Sequence, residues 1–395
     1  MNLKKYIYYS TLLSVFTEAM RYNLGFDLKL FYLIVFINLI VFILYNKIVY
    51  SKGLLIFHSI VIFTGLYSCL FGYNGFGYFI IQFLFLVLIP TYYLSFFTFF
   101  RDKFEEILFL YCKFCVILAI IGIVKLPYDL SQGEALHSIM LEPAHYCTVV
   151  FAGFFITFRE QRFPRYYYKI ILVSILLTGS SLGFIGLGLS IILYAKRISM
   201  MKIIYSTFLV LLLGGVMYFN FSPFRMRFDD TISSSQSGDL SKANLSTYAL
   251  LSNFYVSSKS FASNPLIGNG IGSHLNSRAL YLKDVEGVQV FEDMGMDHLN
   301  AQDAGSLFSR LMSELGLVGI IGVFYFIWKF YVSNNKKDEL SYNTIVSRGI
   351  VLYFFAKLFR EGHYFSPEMY FFVFLYVFNY YDWIKSKNLY FVDVK

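Results

Sequence analysis

Long apolar runs dominate this chain and restrict what it is able to fold into. Leu30–Tyr45, Tyr78–Phe100 and Leu311–Val332 approach or reach the roughly 20 residues that a helix needs to cross the hydrocarbon of a bilayer. Of 395 residues, 57% are hydrophobic and 15% charged, with 46 Phe and 34 Tyr, and this excludes a soluble globular domain. The fold class that follows is all-α, a polytopic bundle of transmembrane helices.

Candidate spans fall at 6–20, 30–46, 54–71, 78–100, 105–126, 143–158, 167–179, 182–195, 202–220, 306–330, 342–359 and 366–383. With Lys4 and Lys5 in the cytoplasm, the inner loops hold Lys47/Lys52, Arg101/Lys103, Arg159/Arg162/Arg165/Lys169, Lys196/Arg197/Lys202, Lys329/Lys336/Lys337 and Lys385/Lys387. The short outer loops hold little beyond Arg21, Lys29, Lys125 and Arg360. Basic residues bias loops toward the cytoplasm, so this partition predicts about twelve spans with both termini inside. Such anchoring accounts for the formal net charge of +8 better than a nucleic-acid partner does. Tyr6–Phe16 behind Lys4 and Lys5 has the outline of a signal peptide, yet no small-residue cleavage site follows, and it reads as a retained first helix ending near Glu18.

The spans at 167–179 and 182–195 are short, both their outer flanks are basic, and Gly179-Ser180-Ser181 lies between them. A hairpin whose tip stops below the outer surface satisfies the charge rule; one long tilted helix is the alternative. Cys69, Cys112, Cys115 and Cys147 all sit in apolar runs. The C-x-x-C at Cys112/Cys115 has no second pair or nearby histidine to complete a metal set, so apolar packing is expected of it.

One hydrophilic segment, 221–305, separates residues 1–220 (spans one to nine) from 306–395 (spans ten to twelve and a cytoplasmic tail). It holds six basic residues (Arg225, Arg227, Lys242, Lys259, Arg278, Lys283) against nine acids, a net charge of −3 in a net-positive chain. Thr231–Ser241 is Ser-rich and expected to be mobile. Ser246–Ala262 spaces Leu250, Leu251, Phe254 and Phe261 at helical intervals, which predicts an amphipathic helix on the membrane surface.

Candidate chemistry gathers on the outer face. Glu142-Pro143-Ala144-His145 opens the sixth span, with Pro143 suited to a first turn and Glu142 at an electropositive helix start. A simple cap is the plain alternative for Glu142, although a cap has no need of His145. Ser180 and Ser181 in Leu177-Thr178-Gly179-Ser180-Ser181-Leu182-Gly183 are able to hold an anion or merely to let helices pack closely. Arg225 and Arg227 open the large loop on an apolar shelf, where arginine either grips phosphate or snorkels to headgroups.

Asn264-Pro265-Leu266-Ile267-Gly268-Asn269-Gly270-Ile271-Gly272 has the look of a dinucleotide fingerprint, but lacks its spacing and its βαβ setting, and reads as a tight turn. Asp297-His298-Leu299-Asn300 and Asp303 precede span ten, offering His298 and Asp303 as proton acceptors. No ligand spacing supports a metal built from His274, His298 and nearby acids. Finally, Arg360-Glu361-Gly362-His363 runs through Ser366-Pro367-Glu368 into the last span, and this much charge in one outer turn marks a functional place. Arg348 and Lys357 on the eleventh span belong either to that site or to interior ion pairs.

Taken in order, Glu142–Ala144, Leu177–Gly183, Arg225/Arg227, Asn264–Gly272, Glu314-Leu315-Gly316-Leu317 and Phe365-Ser366-Pro367-Glu368 resemble the motifs of Wzy-type polysaccharide repeat-unit polymerases. These belong to the wider O-antigen polymerase and ligase group. The resemblance covers about residues 140 to 370, and it departs from the group where many members carry Arg after the hairpin serine and this chain has Ser181-Leu182.

The resemblance implies a GT-C-like glycosyltransferase of the bacterial inner membrane, without cofactor or metal. It would move growing glycan from undecaprenyl diphosphate to a new lipid-linked repeat unit. It also implies membrane lipid and possible flippase and chain-length-regulator partners. The roles it implies are Arg225, Arg227 and Arg360 on the diphosphate, and Glu142 or His298 as base with His363 next. His145, Ser180, Ser181, Asn300, Asp303 and Glu368 would line the groove. An O-antigen ligase and a lipid-linked oligosaccharide flippase are the competing readings; transporters often carry repeated halves, and none is visible here.

Overall fold

The computed structural model describes residues 3–23, 27–194, 200–220, 222–333 and 340–392. Lys196, Arg197, Lys336 and Lys337 lie outside the described residues, and so do the side chains of Lys202 and Arg227.

The first half alternates apolar runs with short breaks, and each run becomes a helix: α1 (Leu3–Ser14), α2 (Leu30–Leu44), α3 (Lys52–Leu70), α4 (Phe76–Phe99), α5 (Phe104–Ser131), α6 (Pro143–Arg159), α7 (Arg165–Leu177), α8 (Ser181–Tyr194) and α9 (Met200–Asn220). The hydrophilic segment adds α10 (Ser222–Ser237), α11 (Leu245–Ser263), α12 (His274–Tyr281) and α13 (Val288–Asp293). The last part gives α14 (Leu307–Lys329), α15 (Tyr342–Arg360) and α16 (Met369–Val392). The strands among the described residues are a small antiparallel ribbon, β1 (Arg21–Asn23) and β2 (Asp27–Lys29), pairing Arg21 with Lys29.

The chain is therefore helical as expected, and among the described residues four helices are long and apolar enough to cross a membrane: 52–70, 76–99, 101–131 and 307–329. Of the helices at the other expected spans, α1 has 12 residues, α7 has 13 and α6 has 17, below the roughly 20 of a straight crossing, whereas α9, α15 and α16 have 21, 19 and 24. α7 and α8 are separate helices, broken where Gly179 takes φ of 57°, so the single tilted helix does not form.

Helix α6 is the axis of the bundle, packed against α5, α7, α8 and α15. Small residues set its distance from α5, as expected where apolar lipid offers helices little hydrophobic drive to associate. Cys115 Sγ fills the space over Gly153, where a Cβ would fall 2.7 Å from it. Cys112 and Cys115 are both buried and unbridged, as packing residues should be. Nearby, the Tyr111 hydroxyl donates to Val149 O at 2.6 Å and accepts from Gly153 N–H at 3.1 Å. It enters the helical ladder of α6 between two groups that would otherwise bond each other.

The hydrophilic segment builds its own small core from Leu240, Ala243, Tyr248, Val256, Leu282, Val285, Val288 and Phe291. α10 continues helically to Ser237, so most of the stretch expected to be mobile is ordered. Leu240 N–H is held by Glu286 O at 3.0 Å, and Asp239 accepts from Ser241 N–H at 2.8 Å.

α11 forms where the spacing predicts, and much of its polar side is buried against the protein. Thr247, Ser252, Asn253, Ser257 and Ser260 are buried, whereas Phe254 is 46% exposed. The polar face meets α12 and α14 because partners wait there. Asn253 Oδ1 accepts from Arg278 Nη1 at 2.7 Å and lies 3.1 Å from His274 Nε2. His274 Nδ1 is 3.0 Å from Ser313 Oγ. Buried polar groups are tolerated when bonded in this way.

A further join explains two motifs at once. α14 is broken at Gly316, whose φ/ψ of 58°/−150° is closed to side-chain-bearing residues. The break orphans backbone groups, and the Pro265–Gly270 turn satisfies them. Asn269 and Gly270 donate to Ser313 O and Glu314 O at 2.9 and 2.8 Å. Leu317 and Val318 donate to Pro265 O and Leu266 O at 2.8 and 3.0 Å. Gly268 lies so close that a Cβ there would fall 2.5 Å from the Glu314 carbonyl carbon. The glycine-rich stretch is a splice across a broken helix.

Candidate functional site

At one end of the bundle α1 and α15 finish and α2, α6, α14 and α16 begin, and the charged residues of the 360–368 turn are assembled there. α15 stops at Arg360 because the backbone must turn onto the segment before α14; a Cβ on Gly362 would fall 1.6 Å from Asp303 O. Lys357 and Arg360 occupy the last turn of α15, where its unpaired carbonyls favour cations.

Arg360 reaches outward from that turn. Its Nη2 donates to Ser246 Oγ at 2.9 Å and lies 3.7 Å from Glu142 Oε2. Glu142 occupies the N-cap position of α6 but makes no side-chain capping bond. Its carboxylate, 48% exposed, faces Arg360 instead, which answers the plain capping reading. One turn on, His145 Nδ1 lies 2.8 Å from the buried carboxylate of Glu18.

His363 and Asp303 form the second pair, with Nε2 3.3 Å from Oδ2. Burial alone would raise the Asp303 carboxyl; the charges of His363 and Arg310, the Asn300 amide and Gly305 N–H overcome it and hold it at about 2. Asn300, in the left-handed region at φ of 54°, donates to Asp303 Oδ1 at 3.1 Å. Burial lowers His363 to about 4; the nearby Asp303 carboxylate opposes this, and Lys29, Lys357 and Arg310 reinforce it. Both groups are thus pushed down, directions that favour a neutral imidazole beside an ionised carboxylate. With Nε2–H directed at Asp303, the free lone pair sits on Nδ1, and a third of the His363 side chain remains accessible.

Beneath these pairs lies a buried charged layer. Lys357 Nζ donates to Glu361 at 2.5 Å, to Ser366 at 2.6 Å and to Glu368 at 3.3 Å. Ser366 and Tyr353 donate to Glu368 Oε1 at 2.5 and 3.4 Å. Arg310 Nε lies 3.1 Å from Glu314, its Nη1 donates to Gly362 O at 3.0 Å, and its guanidinium stacks 4.0 Å over Tyr364. Losing one partner of such a pair strands a buried charge, at about 3–5 kcal/mol.

Of the residues singled out by sequence, Glu142, His145, Asn300, Asp303, Arg360, His363 and Glu368 belong to this cluster. His298 does not share its bonds; the side chain is 73% exposed, with Asp297 4.0 Å away. Arg225 is exposed on α10. Ser180 and Ser181 lie in the α7–α8 turn, where Ser180 N–H is bonded to Thr178 Oγ1 at 3.2 Å. Among the described residues these three share no hydrogen bond or ion pair with the cluster. Sequence reasoning gave no role to Glu18, Lys29, Ser246 or Arg310. A carboxylate at the end of an apolar run, as at Glu18, was the available signal.

No protein-family model matches the chain, and no curated protein matches it.

Proposed function

We propose that the chain is an integral-membrane glycosyltransferase that elongates a glycan carried on a lipid diphosphate, with the 360–368 turn as its reaction centre. The observation that carries this reading is the Asp303–His363 pair, formed by the turn that also carries Arg360 and by the segment before α14, a helix long and apolar enough to cross a membrane. An isoprenoid carrier needs an apolar groove, a cation at phosphate depth and a base within reach of a sugar hydroxyl. In this reading about twelve crossings of the bacterial inner membrane place the turn on its outer face, where undecaprenyl-diphosphate oligosaccharide is presented.

His363 takes the proton. The hydroxyl of the incoming repeat unit attacks C1 of the growing glycan; the new C1–O bond forms as the C1–O bond to diphosphate breaks. The hydroxyl proton passes to His363 Nδ1, and Asp303 orients the ring and stabilises the imidazolium. Undecaprenyl diphosphate leaves as the anion, against Arg360. Preformed cations facing developing charge contribute several kcal/mol in sites that exclude water. Glu142 holds Arg360 ready until the diphosphate displaces it. His298 is too exposed to serve as base in this scheme. Polymerase is preferred to ligase on the motif order; the two are separated by product.

The decisive experiment is chain growth by purified protein on lipid-linked repeat units. Wild type should give a ladder, and His363→Ala and Arg360→Ala should leave single repeats while eluting as folded protein. A ladder of ordinary length from both variants would falsify the assignment, and transfer onto a lipid A core instead would make the protein a ligase.

A further inference from the structure

A second group of titratable side chains lies where α5 ends, sharing no hydrogen bond or ion pair with the Arg360–Glu142 cluster among the described residues. Asp129 is in the last turn of α5, and Glu134 and His137 follow in the connection to α6. The His137 ring is fixed from behind, because Nδ1 lies 2.6 Å from Met140 O and a carbonyl only accepts. The proton is therefore on Nδ1, and the Nε2 lone pair points the other way. It points at two carboxylates: Nε2 is 3.1 Å from Glu134 Oε2 and 3.7 Å from Asp129 Oδ1. Ligand atoms of all three residues lie within 4.8 Å of one another.

Three lone-pair groups facing each other repel unless a cation stands between them. Asp129 is fully buried, and among the described residues its carboxylate is met by an ion-pair cation and by no further hydrogen-bond donor. The cation at hand is Lys125, whose Nζ lies 3.1 Å from Asp129 Oδ1, 3.2 Å from His137 Nε2 and 3.1 Å from Ser138 O. Its side chain is one-third exposed on a flexible stem, so it is able to swing out to water. The ligands are not free to do so. Leu136 is buried, and Ser138 Oγ donates to Leu118 O at 2.7 Å, pinning the connection onto α5.

We propose that Asp129, Glu134 and His137 form a zinc site whose place Lys125 holds when no metal is bound. One imidazole nitrogen and two carboxylate oxygens are a ligand set suited to Zn2+, and a fourth position stays open for water. An ion about 2.0–2.1 Å from each ligand holds tetrahedral neighbours roughly 3.4 Å apart. The 3.1 and 3.7 Å separations already bracket that spacing. The bond from His137 to the Met140 carbonyl is the outer-shell contact that orients zinc-bound histidines. Glu134, with 60% of its side chain exposed, provides the entrance.

The test is titration of the detergent-purified full chain with Zn2+ alone, against a competing chromophoric chelator. One equivalent should bind. His137→Gln and Asp129→Asn should each weaken it at least tenfold, and Lys125→Met should tighten it by removing the competing ammonium. The opposite sign of the Lys125 variant separates a site from a folding defect. Failure of wild type to bind, or an isotherm unchanged by His137→Gln, overturns the proposal.

Discussion

Arg360 lies 3.7 Å from Glu142, which joins the last turn of α15 to the residue that begins α6. A carboxylate at an N-cap ordinarily bonds its own helix; here it is given to another helix. Neutralising it by Glu142→Gln frees Arg360 toward Ser246. Gel analysis of the product should show shorter glycan and a higher KM for the lipid-linked donor, with kcat changed less. A loss confined to kcat would make Glu142 the base and remove that role from His363.

The buried layer under the turn should be unforgiving. Lys357→Met leaves Glu361 and Glu368 without their shared cation, and a loss of about 3–5 kcal/mol is expected in detergent unfolding experiments. Adding Glu361→Gln and Glu368→Gln to the same chain should restore much of it. If the triple variant is no more stable than Lys357→Met alone, the loss is one of packing and not of charge.

Stability of the hydrophilic segment should depend on pH through His274. Burial lowers this imidazole from 6.5 to about 3, and Arg310 and Arg278 add to the effect while Asp303 opposes it. Between those values the unfolded chain holds the proton and the folded chain does not. Stability therefore falls as pH drops through this window, by up to about 1.4 kcal/mol per pH unit. A thermal melt of wild type at pH 5 should lie below that at pH 7, and His274→Asn should be less stable at both but flatter between them. Equal slopes for the two proteins would place the titration elsewhere.

The splice across α14 gives a sharp contrast among glycines in and against that helix. Gly316→Ala places a side chain in a conformation closed to it, and Gly268→Ala drives a methyl group into the Glu314 carbonyl. Each should cost more than about 2 kcal/mol. Gly322→Ala, with nothing within 4 Å of the added carbon, should be neutral or slightly stabilising. Melting temperatures of the three variants decide the matter.

Much of this was readable in the chain. Apolar runs announce the helices, Gly179 announces the α7–α8 break, and the charge packed into Arg360–Glu368 announces where the termini of several helices meet. What escaped were facts of partnership. Hydrophobic spacing gives α11 its extent, but it does not reveal that Arg278 and His274 bond the hydroxyl and amide of its polar face. Thr231–Ser237 has a composition suited to loops, yet it continues α10 to Ser237 and packs on α11, where Thr231 Oγ1 lies 2.7 Å from Thr247 Oγ1. His298 and His363 look equivalent on paper; the difference is that one stands in solvent and the other against Asp303.

The splice also dictates an order of events in biogenesis. Residues 264–270 leave the ribosome before α14 does, so the turn is present when the broken helix arrives. Until the two meet, α14 carries open backbone groups that lipid is unable to satisfy. Folding of residues 264–270 is thus a condition for seating α14, and a chain in which that turn failed to form would leave the broken helix with open backbone groups in its interior.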